Sequence, residues 1–182
     1  MSYTTDHRQK FTDLMYHIRN QDQLRKQAHG GNSILFSYPP EEESLYIEKA
    51  KELFSENVEF IDISKILVQF IDKYGWDSFK DYYNNYKDTS YQIFKSEDPE
   101  DDFFALIINE IKKACKNDKI PILVRTGCLY GTGIENVNIM EHRTVMKMNK
   151  PLVIFYPSRI EENNILFLNF KPASRYRCVL VK

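Results

Sequence analysis

The chain has 182 residues, a formal charge of −1, and is 42% hydrophobic, 28% charged and 14% aromatic. That length and apolar content suit one globular domain with a real core and exclude wholesale disorder. The near-zero charge excludes a global basic field of the kind that marks a nucleic-acid binder, so only local patches need be weighed.

The opening "MSYTTDHRQKF" is polar, with no apolar core behind it, and does not read as a signal peptide. No apolar run approaches the ~18 residues of a membrane span. Cys115, Cys128 and Cys178 are isolated and form no CxxC, which fits a reducing, cytoplasmic setting.

Residues 6–28 read as one helix with Phe11, Leu14, Met15 and Ile18 on a single face. That face is short, so residues 1–30 are expected to dock on something larger, and "HGGNS" (29–33) to end the helix. "ILFSY" (34–38) is an apolar strand stopped by "PPEEE". Pro40 and the glutamates after it open a helix, which buries Leu45, Ile47, Ala50, Leu53 and Phe54. "VEFIDI" (58–63) is the next strand. "SKILVQFIDKYG" (64–75) is a helix with Ser64 as cap and Gly75 as stop.

Residues 76–97 form an aromatic-rich helical insertion containing Trp76, Phe79, Tyr82, Tyr83, Tyr86, Tyr91 and Phe94. "DPEDDFFALIINEIKKACKN" (98–117) is the clearest helix: Asp98 caps it, Pro99 takes the first position, acids fill the first turn and lysines the last. "IPILVRTG" (120–127) and "PLVIFYP" (151–157) are continuous apolar runs, expected as strands buried on both faces. Residues 135–148 between them read as a helix. "ILFLNF" (165–170) and "CVLVK" (178–182) have no helix between them and are expected to pair as a hairpin or mixed edge. The alternation over 34–157 predicts a single α/β domain in three layers. Its sheet is largely parallel, with helices on both faces and a mixed C-terminal edge.

The stretch "RTGCLYGTGIENVNIMEHR" (125–143) raises the question of a phosphate loop. A Walker A loop needs GxxxxGK followed by Ser or Thr, because the lysine neutralises the phosphates and the hydroxyl holds magnesium. Here Gly127 and Gly131 are four apart, and Ile134, Glu135 and Asn136 follow Gly133. GxGxxG fails as well, so the stretch reads as a turn. The usual phosphate position in such folds is the turn after the first strand; "YPPEEES" there has no glycine and three acids. No nucleotide or other cofactor is expected.

Cys128 lies just past a strand end, and His142 follows fourteen residues later. A nucleophilic pair would need them in contact with an orienting group; the preferred reading of Cys128 is a plain buried thiol. His7, His17, His29 and His142 lack ligand spacing, so no metal site is expected. Asp62 reads as a helix cap or ion-pair partner. GxSxG is absent. The aromatic insertion carries mixed charge and reads as core or protein-binding surface rather than a base-stacking platform. Arg143, Lys147, Lys150, Arg159, Lys171, Arg175, Arg177 and Lys182 form a modest basic cluster in the C-terminal third. It reads equally as a solvated face or a contact for phosphate or an acidic partner.

Taken together, "ILFSYPPEEE", "PILVRTGCLYG", "HRTVMKMNKPLVIFYPSRI" and "NILFLNFKPASRYRCVLV" resemble the BrxB family of BREX bacteriophage-resistance systems over residues 34–182. Tyr38, Pro39, Pro40 and Glu41 match its "YPPE" turn; Thr126, Gly127 and Tyr130 its "TGxGxxYP" motif; Phe155, Tyr156 and Pro157 its "FYPGxYxG" motif; Tyr176 and Arg177 its final strand. Departures are Gly131-Thr132-Gly133, where proline and a bulky residue are usual, and Ser158 in place of a glycine. The resemblance implies a non-catalytic assembly subunit of a multi-protein defence complex. Its expected partner is a PglZ-type protein of alkaline-phosphatase fold, with the large ATPase as a second candidate. The partner-binding residues it suggests are Tyr38, Pro39, Thr126, Gly127, Tyr130, Arg143, Tyr156 and Arg159. The sheet is expected to be Rossmann-like or arranged like that of a P-loop NTPase without the Walker A loop. The alternative is a small DNA- or nucleotide-binding regulator using Arg125, Arg143 and Arg159.

Overall fold

The computed structural model describes residues 4–54, 56–89, 91–96, 101–162 and 164–182. The chain opens with α1 (Thr5–Arg19) and α2 (Gln21–Gln27). These replace the single helix expected over 6–28. The break falls at Asn20, whose backbone (φ −110°, ψ 59°) leaves the helical region and whose side-chain amide donates to the Tyr16 carbonyl at 2.7 Å.

Strand β1 (Ser33–Tyr38) follows, then a 3₁₀ turn at Pro40–Glu42 and α3 (Glu43–Leu53). Tyr46 takes the central buried place on α3, while Leu53 is exposed rather than buried. Strand β2 (Val58–Asp62) runs straight into α4 (Ile63–Tyr74). The cap of α4 is Asp62, not Ser64: its Oδ1 accepts from the Ser64 and Lys65 amides at 3.1 and 3.3 Å, and from the Ser64 hydroxyl at 2.6 Å. Gly75, at φ +76°, ends α4 as expected and opens α5 (Trp76–Asn85); α6 (Tyr91–Phe94) follows. Helix α7 (Phe103–Lys116) is capped by Asp102, which accepts from the Ala105 amide at 2.6 Å. The expected cap at Asp98 and the proline at 99 lie outside the described residues.

Strand β3 (Ile120–Val124) leads to α8 (Asn136–Met140) and α9 (Arg143–Lys147), two short helices in place of the one expected over 135–148. His142 causes the division, since its Nδ1 accepts from the Thr144 amide at 3.2 Å and restarts the helix. Strands β4 (Leu152–Glu161), β5 (Asn164–Phe167), β6 (Lys171–Ala173) and β7 (Cys178–Val181) close the chain.

The main sheet has the order β2-β3-β4-β1-β7, with every pairing parallel. β4 outruns this sheet, and its upper half pairs with β5, which pairs with β6, both antiparallel. The expected pairing of 165–170 with 178–182 is therefore not formed. β7 instead lies parallel to β1 (Ile34 opposite Val179), because its apolar residues complete the sheet, whereas β5 closes a hairpin on the extension of β4.

Period-two alternation sorts the strand residues between two cores. Ile34, Phe36, Tyr38, Val153 and Phe155 pack under α1, α2 and α3 with Phe11, Leu24 and Tyr46. Leu35, Ile61, Leu123 and Ile154 face α4 to α9, meeting Phe70, Phe103, Ile107 and Ile111. Both faces are thus covered by helices, as near-continuous apolar strands require.

Asn32 ties the amino edge together. Fully buried, it donates its side-chain amide to the Val145, Met148 and Lys150 carbonyls at 3.2, 3.1 and 2.9 Å. The "HGGNS" turn therefore does more than end a helix: it anchors the α9–β4 connection beside β1.

Candidate functional site

In parallel sheets the strands' carboxyl ends are where side chains converge, and most of the residues singled out in the sequence lie there. At the tip of β1, Tyr38 is fully buried, stacked on Tyr46 with centroids 5.1 Å apart, and donates its hydroxyl to Glu43 Oε1 at 2.9 Å. Burial, reinforced by the Glu43 carboxylate, raises its pKa. The position where a phosphate loop would run is thus filled by a tyrosine–glutamate pair and the acidic 3₁₀ turn.

At the tip of β2, Asp62 both caps α4 and forms an ion pair, its Oδ2 3.2 Å from Arg125 Nε. Arg125 stands at the tip of β3 in the left-handed region (φ 57°, ψ 38°). Thr126, fully buried, donates its hydroxyl to the Phe155 carbonyl at 2.6 Å and locks the β3 tip to β4. Gly127 lies beneath Leu168 and Pro157, which an added Cβ would meet at 3.5 and 3.8 Å. On β4, Tyr156 is buried and stacks on Phe167 at 4.6 Å. Ser37 and Ser158 share a buried hydroxyl contact of 2.9 Å.

The eight residues suggested for partner binding therefore divide. Tyr38, Thr126 and Tyr156 are buried framework, and Pro39 and Gly127 are half-buried. Tyr130, Arg143 and Arg159 are exposed. Tyr130 packs edge-on against the equally exposed Phe170 at 5.3 Å. Arg143 opens α9, whose following carbonyls reach Asn32 at the amino edge, so it stands at the other end of the β3–β4 connection from Tyr130.

Cys128 and His142 are not brought together. The Cys128 thiol donates to the Arg125 carbonyl at 3.1 Å, and burial, with Asp62 and Glu43 adding, pushes its pKa up to about 12. A thiol held protonated in this way is the reverse of an activated nucleophile. His142 instead caps α9 and meets Phe104 edge-on at 5.8 Å, its pKa lowered by burial and by Lys112. Among the described residues, no group of three or more His, Cys, Asp or Glu side chains is gathered as for a metal ion, and no helix is long and apolar enough to cross a membrane.

The glycine-rich stretch is a turn, and its glycines have definite work. Gly133 sits at φ +74°, and an added Cβ would lie 2.3 Å from the Tyr91 Cβ. The loop thus abuts α6. Four of the eight residues of the basic cluster meet acidic partners: Lys150 pairs with Asp118, Arg159 with Glu161, Lys171 with Glu135 and Arg177 with Glu141. The aromatic insertion, expected as core or protein-binding surface, divides between the two, and Tyr91 places part of it beside this loop. Tyr74, Trp76, Tyr82, Tyr86 and Tyr91, with Val68, are all 45% exposed or more. The signal was present in the aromatic density of 76–97, but not which rings point inward.

Comparison with family models, curated proteins and solved structures finds no match for this chain.

Proposed function

We propose that this chain is a BrxB-like, non-catalytic assembly subunit of a BREX-type phage-defence complex, and that it binds a PglZ-type partner. The observation that carries this reading is the contrast between a turn after β1 that is filled by Tyr38 and Glu43 and a helical surface that leaves large aromatics in solvent. Exposed large aromatics mark interaction surfaces, and the loop that carries Tyr130 meets this layer where Gly133 lies against Tyr91. The sheet is read as arranged like that of a P-loop NTPase without the phosphate loop. Two features support this: β1 lies inside the sheet between β4 and β7, and Tyr38 and Glu43 occupy the turn after it.

Co-expression with a tagged PglZ-type protein from the same operon tests the reading. A single complex is expected on sizing, and Trp76→Ser with Tyr86→Ser should release the partner while the circular dichroism spectrum stays unchanged. Tyr130→Ala should weaken the complex, and Arg143→Ala should leave it intact. Two soluble proteins that elute apart would sink the assignment to this partner and move weight to the large ATPase. The DNA- or nucleotide-binding alternative, through Arg125, Arg143 and Arg159, predicts a salt-sensitive shift with duplex DNA; the ion pairs Arg125–Asp62 and Arg159–Glu161 weigh against an open DNA-binding face.

A further inference from the structure

A groove of about 480 Å³ lies outside the carboxyl ends of β1 and β4. One wall is α1, another the tip of β1, a third the stretch of β4 that rises above the parallel sheet, and the rim carries the residue after β7. Its place in the topology is informative. β1 and β4 are neighbours in the sheet; the chain leaving β1 crosses through α3 to β2 at one edge, whereas the chain leaving β4 passes through β5 and β6 to β7 at the other. Open α/β sheets take ligands in the crevice where that reversal of direction occurs.

Three cations from three separate elements line the groove: Lys10, Arg159 and Lys182. The Lys10 ammonium is partly buried, and its hydrogen-bond acceptor among the described residues is the Ser37 carbonyl, at a long 3.4 Å. Burial lowers its pKa, and Glu42 and Asp6 oppose that shift. Arg159 is steadied by Glu161 at 2.7 Å and by the Asn169 carbonyl at 3.4 Å. Glu41 is the carboxylate on the rim. The buried Ser37–Ser158 hydroxyl pair lies between the strands, and Pro39 and Ile160 supply apolar wall.

We infer that this groove binds a phosphate monoester of up to nucleotide size, with Lys10, Arg159 and Lys182 on the phosphate. Arg159 meets Glu161 and the Asn169 carbonyl through one nitrogen, Nη2, so the rest of its fork can face a phosphate. Ammonium groups arriving from different elements act as point charges and suit a tetrahedral dianion. Glu41 accepts from a hydroxyl of the ester, and the volume lies within the range of small-molecule sites. This inference does not rest on the aromatic surface that carries the assembly reading, though it shares Pro39 and Arg159 with the residues the family resemblance suggests for partner binding.

Isothermal titration of the full chain at fixed ionic strength tests it, with AMP, ribose 5-phosphate, inorganic phosphate and adenosine as probes. AMP and ribose 5-phosphate should bind at one saturable site and adenosine should not. Lys10→Gln and Arg159→Gln should each weaken binding about tenfold or more, whereas Lys10→Arg should retain it. Lys147→Gln, at the amino edge, should change nothing. Tighter binding of AMP than of ribose 5-phosphate would place the base in the groove; equal binding would place only the phosphate and sugar. Absence of heat with both esters, or equal weakening by Lys147→Gln, would overturn the inference. So would phosphate binding indifferent to Lys10→Gln, as would retained circular dichroism with wild-type affinity in the Arg159→Gln variant.

Discussion

The two helical layers use aromatic residues in opposite ways. Under α1–α3, Phe11, Phe36, Tyr38, Tyr46 and Phe155 form one sealed cluster with ring centroids 4.7 to 6.4 Å apart. Across the sheet, Phe70, Phe79, Phe94 and Phe103 make a similar inner cluster, but a second tier of tyrosines and Trp76 is left outside it. The first layer has spent its aromatics on the core. The second has more rings than its core can cover, and the surplus lies in solvent, with Tyr91 beside the glycine loop. Aromatic content alone therefore says little; what matters is whether a ring faces the sheet.

The largest expected effect tests the sealed tier. Phe36→Ala, and Phe70→Ala on the other side, should each cost about 3–5 kcal/mol, because a fully buried ring leaves a cavity its neighbours cannot fill. Urea unfolding measures both. A loss well below this in either layer would show that its inner cluster is loosely packed and would erase the likeness between the two inner tiers.

Gly133→Ala probes the junction between loop and outer tier. Its φ of +74° and the 2.3 Å approach to Tyr91 predict a loss of about 1–3 kcal/mol. Tyr91 fluorescence or solvent accessibility should change with it, since α6 must move to admit a methyl group. Unchanged stability would mean that the loop and α6 are not in firm contact, which would detach Tyr130 from the aromatic surface.

Alkaline titration compares the ends of the sheet with its faces. Burial pushes Cys128 and Cys178 up to about 12 from the ordinary thiol value of 9.0. The native chain then keeps protons that the unfolded chain gives up. The stability these thiols contribute is present below pH 9 and is lost as pH rises towards 12. Tyr38 and Tyr156, also raised, add to the fall above their ordinary value of 10.0. A Cys128→Ala, Cys178→Ala double variant should flatten the first part of the decline, between about pH 9 and 10, as read by denaturant midpoints. An unaltered slope there would refute thiol burial as its cause.

The smallest expected effect falls on the outer tier. Trp76→Ser and Tyr86→Ser should each change stability by no more than about 0.5 kcal/mol, since exposed side chains contribute little to the fold. A loss several times larger would mean that these rings are core after all and would remove the contrast on which the assembly reading rests.

Much of the architecture was legible. Continuous apolar runs at 34–38, 120–124 and 152–157 mark strands covered on both faces, and the helices between them imply parallel pairing. Gly75 and the acidic turn after β1 were also readable, because capping and phosphate binding depend on neighbouring residues only. The reading failed where two local signals competed: Asp62 outbids Ser64 as a cap because a carboxylate accepts from two amides and a hydroxyl at once. It failed again where pairing is decided at a distance, as with β5 and β7. Of the candidate site, Thr126, Tyr38 and Tyr156 were noticed by motif, yet their hydroxyls and rings serve the interior.

The amino-acid sequence by itself determined the α/β class, the succession of strands and helices, and the absence of a Walker A pattern, because periodicity, glycine and proline placement, and charge near helix ends act over a few residues. Tertiary structure alone decided the strand order, the separation of Cys128 from His142, the role of Asn32 as the anchor of the amino edge, and which aromatics stay in solvent. Those outcomes depend on contacts between residues up to more than a hundred positions apart, where the free energy of packing the whole sheet, and not any local preference, selects the arrangement.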